Sequence, residues 1–278
     1  MEVLVSSHAG LCFGVRRATR LAMEVRKNHP GPVYTLGPLM HNPQEVERLA
    51  GLGIVQRQSI DQCVGGKTLL RTHGIPRRQL QLATRLGIDL VDAVCPRVAV
   101  VRRYIVDFGR RGYQVVLVGD RGHPEVEALQ SYAPGEVFVA SLPGDLERVA
   151  GDRPLVVLAQ TTQAREVFDA VVSACRRRVP QAESICTICQ DAGLRQVEGR
   201  QLAARADLML VVGGRISANT ARLAEICRRV QPRTHHIETA AELETIDFTG
   251  VKTVGLTSGA STPTWIIEQV RQRLSLFR

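Results

Sequence analysis

A short apolar run that closes on a polar turn and then gives way to an amphipathic stretch occurs three times along this chain. Val33-Tyr34-Thr35-Leu36-Gly37 leads to His41-Asn42-Pro43, and Val115-Val116-Leu117-Val118-Gly119 leads to His123-Pro124-Glu125. Leu208-Met209-Leu210-Val211-Val212-Gly213-Gly214 leads to Ser217-Ala218-Asn219. Helices are predicted after these turns, over residues 44–50, 126–131 and 220–230. A second series runs in parallel: Thr68-Leu69-Leu70-Arg71-Thr72-His73, Leu155 to Gln160-Thr161-Thr162, and Val251 to Ser258. Uninterrupted apolar runs alternating with helical patterns are the mark of βα units and a parallel sheet. Copies recur at an offset of about 80 to 100 residues, too long for a solenoid and suited to small lobes. The expected fold is therefore α/β: three pseudo-symmetric small lobes with mostly parallel sheets, over residues 13–96, 97–189 and 190–278. The N-terminal strand within residues 1–12 is expected to join the central sheet region.

One cysteine segment separates each repeat from the next: Leu11-Cys12-Phe13-Gly14, Asp92-Ala93-Val94-Cys95-Pro96 and Cys186-Thr187-Ile188-Cys189. Thiolates so far apart in sequence do not form a local zinc knuckle. They meet only if the lobes surround a common centre. Pro after Cys95 stops the chain from pairing onward, an environment that recurs for iron–sulfur ligands. At the third segment the C-x-x-C spacing leaves Cys186 and Cys189 both open as the relevant thiol. Cys63, Cys175 and Cys227 lack polar turn neighbours and read as packing residues.

In parallel sheets, ligands bind beyond the carboxyl ends of the strands, where helix N-termini collect. His41, His73, His123, Gln160, Thr161, Ser217, Asn219 and Ser261 all stand at such ends. Turned inward, they would line one electropositive pocket suited to a phosphate group. Each residue also has a plainer use, since Ser, Thr and Asn cap helices and Glu125 suits a first helical turn. Three histidines at equivalent repeat positions are harder to explain as caps. Glu125, beside His123, is placed to deliver a proton. The arrangement points to an iron–sulfur enzyme acting on a phosphorylated substrate.

Composition narrows the surroundings. The net charge is +9 and aromatics are only 4%. Arg is dispersed along apparent helices without the aromatic interleaving of a nucleic-acid surface, so a general attraction for anions is the modest conclusion. No apolar run is long enough for a membrane span, and the first residues read as a strand and not as a signal peptide. A cytoplasmic location is expected, where the seven cysteines stay reduced and serve metal binding or catalysis.

Gly10-Leu11-Cys12-Phe13-Gly14-Val15-Arg16-Arg17-Ala18, Thr72-His73-Gly74, Asp92-Ala93-Val94-Cys95-Pro96 and Gly122-His123-Pro124-Glu125 resemble the IspH/LytB family. Gln160-Thr161-Thr162 and Thr257-Ser258-Gly259-Ala260-Ser261-Thr262-Pro263 resemble it too, and the motifs run in order over essentially the whole chain. The family reduces 4-hydroxy-3-methylbut-2-enyl diphosphate. The resemblance implies a [4Fe-4S] cluster held by Cys12, Cys95 and Cys189, with one iron lacking a protein ligand. Arg195-Gln196, six residues on, selects Cys189 over Cys186 by the family's spacing. It further implies that His41, His73, His123, Ser217, Asn219 and Ser261 hold the diphosphate, while Thr161 and Glu125 address the substrate hydroxyl. No G-x-G-x-x-G follows a strand, so electrons are expected from a separate ferredoxin or flavodoxin.

Two departures stand out. Ala218 replaces a serine that the family usually places between Ser217 and Asn219. Gln190-Asp191-Ala192-Gly193-Leu194 replaces the family's usual Ala-Thr-containing segment, and Asp191 brings a negative charge expected to lower a cluster's reduction potential. They keep two alternatives in view: a paralogue acting on another phosphorylated or anionic substrate, and a non-enzymatic iron–sulfur redox sensor.

Overall fold

The computed structural model describes residues 1–277 of the chain. β1 (Glu2–Val5) and α1 (Phe13–Asn28) come first, followed by β2 (Val33–Leu36), α2 (Pro43–Gly51), β3 (Ile54–Arg57), β4 (Lys67–Leu70), α3 (Arg77–Arg85) and β5 (Asp89–Val91). The middle third contains α4 (Pro96–Arg110), β6 (Gln114–Val118), α5 (Pro124–Gln130), β7 (Val137–Ala140), β8 (Leu155–Ala159), α6 (Arg165–Arg178) and β9 (Glu183–Ser184). The last third contains α7 (Gln190–Ala203), β10 (Leu208–Val212), α8 (Ala218–Arg228), β11 (Thr234–Ile237), β12 (Thr253–Ser258) and α9 (Thr264–Leu274).

The strands form three four-stranded sheets, ordered β3-β2-β4-β5, β7-β6-β8-β9 and β11-β10-β12-β1. Every pairing is parallel. In each sheet the inner pair consists of the strands marked out by the two series of apolar runs, so the three α/β lobes expected from the sequence are present. The residues of β6, β8 and β10 are all buried, as strands covered on both faces must be. The N-terminal strand is the edge strand of the third sheet, with Val3 opposite Val254, where β5 and β9 stand in the other two.

Two compact units emerge: residues 1–16, 40–48 and from 190 onward, and residues 17–39 with 49–189. The second unit holds two sheets because they share a core. Val98, Val101, Ile105 and Phe108 of α4 pack in one buried cluster with Leu36, Leu70 and Ile88 of one sheet's lobe and with Val115, Leu117 and Leu158 of the other. In the first unit, α9 packs Ile266, Ile267 and Val270 with Leu208, Leu210 and Leu256. Leu202 of α7 and Leu223 of α8 pack with Met209 and Val211 in a separate cluster. Alternate residues of β10 serve the two clusters, as the two-residue period of a strand requires. No helix among the described residues is long and apolar enough to cross a membrane.

Candidate active site

In the second unit, Cys95 is the N-cap of α4 with Pro96 at the first helical position. Its amide donates to the Thr72 carbonyl at 2.9 Å, which ties it to the turn carrying His73. Burial pushes the Cys95 thiol up, the Arg97 and Val98 amides pull it down, and the nearby Cys189 and Glu125 raise it further. Cys189 is tied in the same way, its amide donating to the Thr161 carbonyl at 2.8 Å. Thr161 then reaches Glu125: its amide and its hydroxyl each donate to the carboxylate at 2.7 Å. Glu125 is 1% exposed. Burial raises its pKa, the two Thr161 donors oppose that, and the charge of Asp120 adds to it, leaving the carboxyl above its ordinary range.

His123 caps α5, its Nδ1 accepting the Glu125 amide at 3.1 Å. A backbone amide always donates, so Nδ1 is an acceptor in this contact. His73 meets His123 edge-on, with ring centroids 5.5 Å apart. Cys95, Cys189, His73, His123, Glu125 and Thr161 therefore form one connected group.

In the first unit, three strand-end turns converge on the His41 carbonyl. Ser261 Oγ donates to it at 3.1 Å. A Cβ on Gly214 would stand 2.5 Å from the same oxygen, so only glycine permits this approach. Ser217 caps α8, its Oγ accepting from the Thr220 amide at 3.3 Å. Asn219 is buried, and its side-chain nitrogen has no partner among the described residues. A buried donor left unpaired costs about 1–3 kcal/mol, which an anionic ligand would relieve. Cys12 lies just before α1, its amide donating to the Ala260 carbonyl at 2.9 Å and its sulfur accepting from the Val15 amide at 3.4 Å. Cys12, His41, Ser217, Asn219 and Ser261 thus stand on the turns at one end of the third sheet.

The thiols divide by environment. Cys12, Cys95 and Cys189 are partly exposed, and Cys186 is exposed, whereas Cys63, Cys175 and Cys227 are buried. Burial holds the Cys175 thiol at about 11 and the Cys227 thiol at about 12, so both are inert packing groups. No described cysteine is in a disulfide, and backbone amides point at the sulfurs of Cys12 and Cys95, a setting that suits a thiolate ligand better than a structural cross-link.

A LytB protein family model matches residues 3–275. The chain belongs to the LytB family. The 4-hydroxy-3-methylbut-2-enyl diphosphate reductase of Citrifermentans bemidjiense is 44% identical to it, over 99% of this chain and 97% of that protein. The reductase of the same name from Aquifex aeolicus is 42% identical, over 99% of this chain and 96% of its own. A solved structure of (E)-4-hydroxy-3-methyl-but-2-enyl diphosphate reductase, the terminal enzyme of the non-mevalonate pathway, matches with a TM-score of 0.74 at 42% identity and covers 100% of both chains. The E-1-hydroxy-2-methyl-but-2-enyl-4-diphosphate reductase of Plasmodium falciparum matches with a TM-score of 0.92 over 99% of this chain and 87% of its own, and at 24% identity it bears on the fold alone.

Within this LytB chain the structure adds contacts that the motifs alone do not show. Thr72 and Ala260 supply the carbonyls that hold the Cys95 and Cys12 amides. Gln160 accepts the Asp120 amide at 2.9 Å and donates to Thr162 at 3.0 Å, bracing the turn before Thr161. The Asp191 carboxylate accepts from Arg195 Nε at 2.8 Å, and Arg195 is 2% exposed. The i,i+4 spacing of the pair was visible in the sequence once a helix was placed there.

Proposed function

We propose that this chain carries out the two-electron reductive dehydroxylation of 4-hydroxy-3-methylbut-2-enyl diphosphate to isopentenyl and dimethylallyl diphosphate. The observation that carries the reading is the buried Glu125 carboxyl, which accepts two hydrogen bonds from Thr161 and lies on the same connected group as Cys95, Cys189, His73 and His123. The reaction breaks the allylic C–O bond, consumes two electrons and two protons, and releases water. One proton leaves with the oxygen and the other ends on carbon.

Cys12, Cys95 and Cys189 would hold a [4Fe-4S] cluster through three thiolates, one iron lacking a protein ligand. When bound, it supplies electrons singly and a Lewis-acidic iron for the substrate hydroxyl. The chain's own residues bind, orient and protonate. His41, His73, His123, Ser217, Asn219 and Ser261 hold the diphosphate, with the Asn219 amide among the donors. Glu125, whose proton affinity burial raises, delivers a proton through the Thr161 hydroxyl to the departing oxygen. Ferredoxin or flavodoxin supplies the electrons, in a cytoplasm where thiols stay reduced.

Iron and acid-labile sulfide after anaerobic purification, followed by turnover with the diphosphate and a reduced donor, test this reading. Iron is expected in the wild type and in Cys186→Ser, and is expected to be lost in Cys12→Ser, Cys95→Ser and Cys189→Ser. Iron lost in Cys186→Ser and kept in Cys189→Ser would move the third ligand. An iron-replete protein inactive on the diphosphate would favour the paralogue, a reading that Ala218 in the diphosphate turn keeps open.

A further inference from the structure

Between the end of β1 at Val5 and the start of α1 at Phe13 the chain has no regular secondary structure, yet it carries Cys12. Its far end is fixed to the turn after β12. The Gly10 amide donates to Ser258 Oγ at 2.8 Å, and the Cys12 amide donates to the Ala260 carbonyl. Its near end is fixed by the Ser6 amide, which donates to the Leu256 carbonyl at 2.8 Å, and by one side chain on α7, 190 residues from His8. The Glu198 carboxylate accepts from Ser6 Oγ at 2.6 Å, the Ser7 amide at 2.7 Å, the His8 amide at 3.1 Å and His8 Nδ1 at 2.7 Å.

Glu198 does not act alone on that helix. Asp191, Arg195 and Glu198 are spaced four and three residues apart and so share one face of α7. Arg195, held by Asp191, donates from Nη1 to the Ser258 carbonyl at 3.3 Å. The same helix thus reaches the Cys12 segment by two routes, directly through Glu198 and indirectly through Arg195 and Ser258. A carboxylate that accepts four donors is a rigid anchor, because moving the segment would strand a charge and several amides together.

We propose that Glu198 is a positioning residue that sets the Cys12 segment for cluster binding from the helix that begins directly after Cys189. The proposal rests on the reading of Cys12 as a cluster ligand. A merely structural Glu198 would loosen the whole unit when removed, whereas a positioning Glu198 acts on Cys12 alone.

The discriminating experiment is site-resolved alkylation of the iron-free protein, with rates for Cys12 and for Cys227, the buried thiol of the same unit, taken from peptide mass spectra. Glu198→Ala is expected to raise the Cys12 rate by about tenfold and leave the Cys227 rate within about twofold. Ser6→Ala, which removes only the 2.6 Å bond, is the milder variant should Glu198→Ala fail to fold, and is expected to give a smaller rise of the same pattern. In the iron-loaded protein, release of iron to a chelator should quicken by about tenfold in Glu198→Ala, and by less in Glu198→Gln, which keeps an acceptor oxygen. An unchanged Cys12 rate, an equal rise at Cys227, or a loosened Cys12 with normal iron release would each overturn the proposal. A wild type without iron would sink the proposed function instead, and the alkylation pattern would still decide whether Glu198 positions Cys12.

Discussion

Glu125 in the second unit and Glu198 in the first both accept short hydrogen bonds, yet their surroundings drive them in opposite directions. Glu125 is 1% exposed and takes its two bonds from one residue, Thr161. Desolvation prevails, and the carboxyl holds its proton above the ordinary range. The side chain of Glu198 is 25% exposed. Burial again works against its charge, but the donors from Ser6, His8 and Ser7 outweigh it and hold the carboxyl at about 2. A carboxyl that keeps its proton can give it away, and one that never takes a proton can only anchor. The balance of donors against lost water assigns the two roles.

The sharpest way to break that comparison is Glu125→Gln. The variant keeps the shape of the side chain and cannot deliver a comparable proton. Single-turnover reduction is expected to slow by about 10²–10⁴-fold with iron content unchanged. The pH profile supplies the sign. The protonated form of Glu125 is the active one, so the wild-type rate should fall as pH rises through its raised pKa, and that limb should vanish in the glutamine variant. Near-normal rates would reduce Glu125 to a residue of the first helical turn of α5.

A smaller effect separates Glu198. Its folded pKa of about 2 lies below the unfolded value of about 4.3. Its contribution to stability is therefore fully present above the unfolded value and is lost as pH falls toward the folded one. Urea midpoints of the iron-free protein between about pH 5 and pH 2.5 should fall more steeply in the wild type than in Glu198→Gln, by on the order of 2 kcal/mol across the window. Parallel slopes would mean that the four donors do not hold the charge.

The smallest expected effect lies at the turn of the first unit proposed to hold the diphosphate. Ala218→Ser restores a hydroxyl beside Ser217 and Asn219. A neutral hydrogen bond is worth about 0.5–1.5 kcal/mol, so inorganic diphosphate should bind roughly two- to tenfold tighter by calorimetry. Unchanged affinity would remove position 218 from the site.

The inner strands were legible because a parallel strand covered on both faces must be apolar throughout, and β6, β8 and β10 leave no other reading. Three of the edge strands were not. β5, β9 and β11 read Asp-Leu-Val, Glu-Ser and Thr-His-His-Ile, too short and too polar to stand out, and they are ordered by their neighbours. Turns that end strands and start helices announced His41, His73, His123, Ser217 and Ser261 through local residue chemistry, which a chain carries wherever it goes.

Contacts across long stretches of chain carry no such local mark. The sequence placed Glu125 and Thr161 at two strand ends, and only the fold made them hydrogen-bond partners across 36 residues. Ser6, Ser7 and His8 showed no pattern at all until α7 brought Glu198 to them from 190 residues away. Three sheets, their inner strands and the turns that bear the polar residues follow from periodicity and side-chain type, and these are properties of neighbouring residues. Which carboxyl keeps its proton and which becomes an anchor depends on how much water each loses and which donors replace it, and both quantities exist only after distant segments have packed.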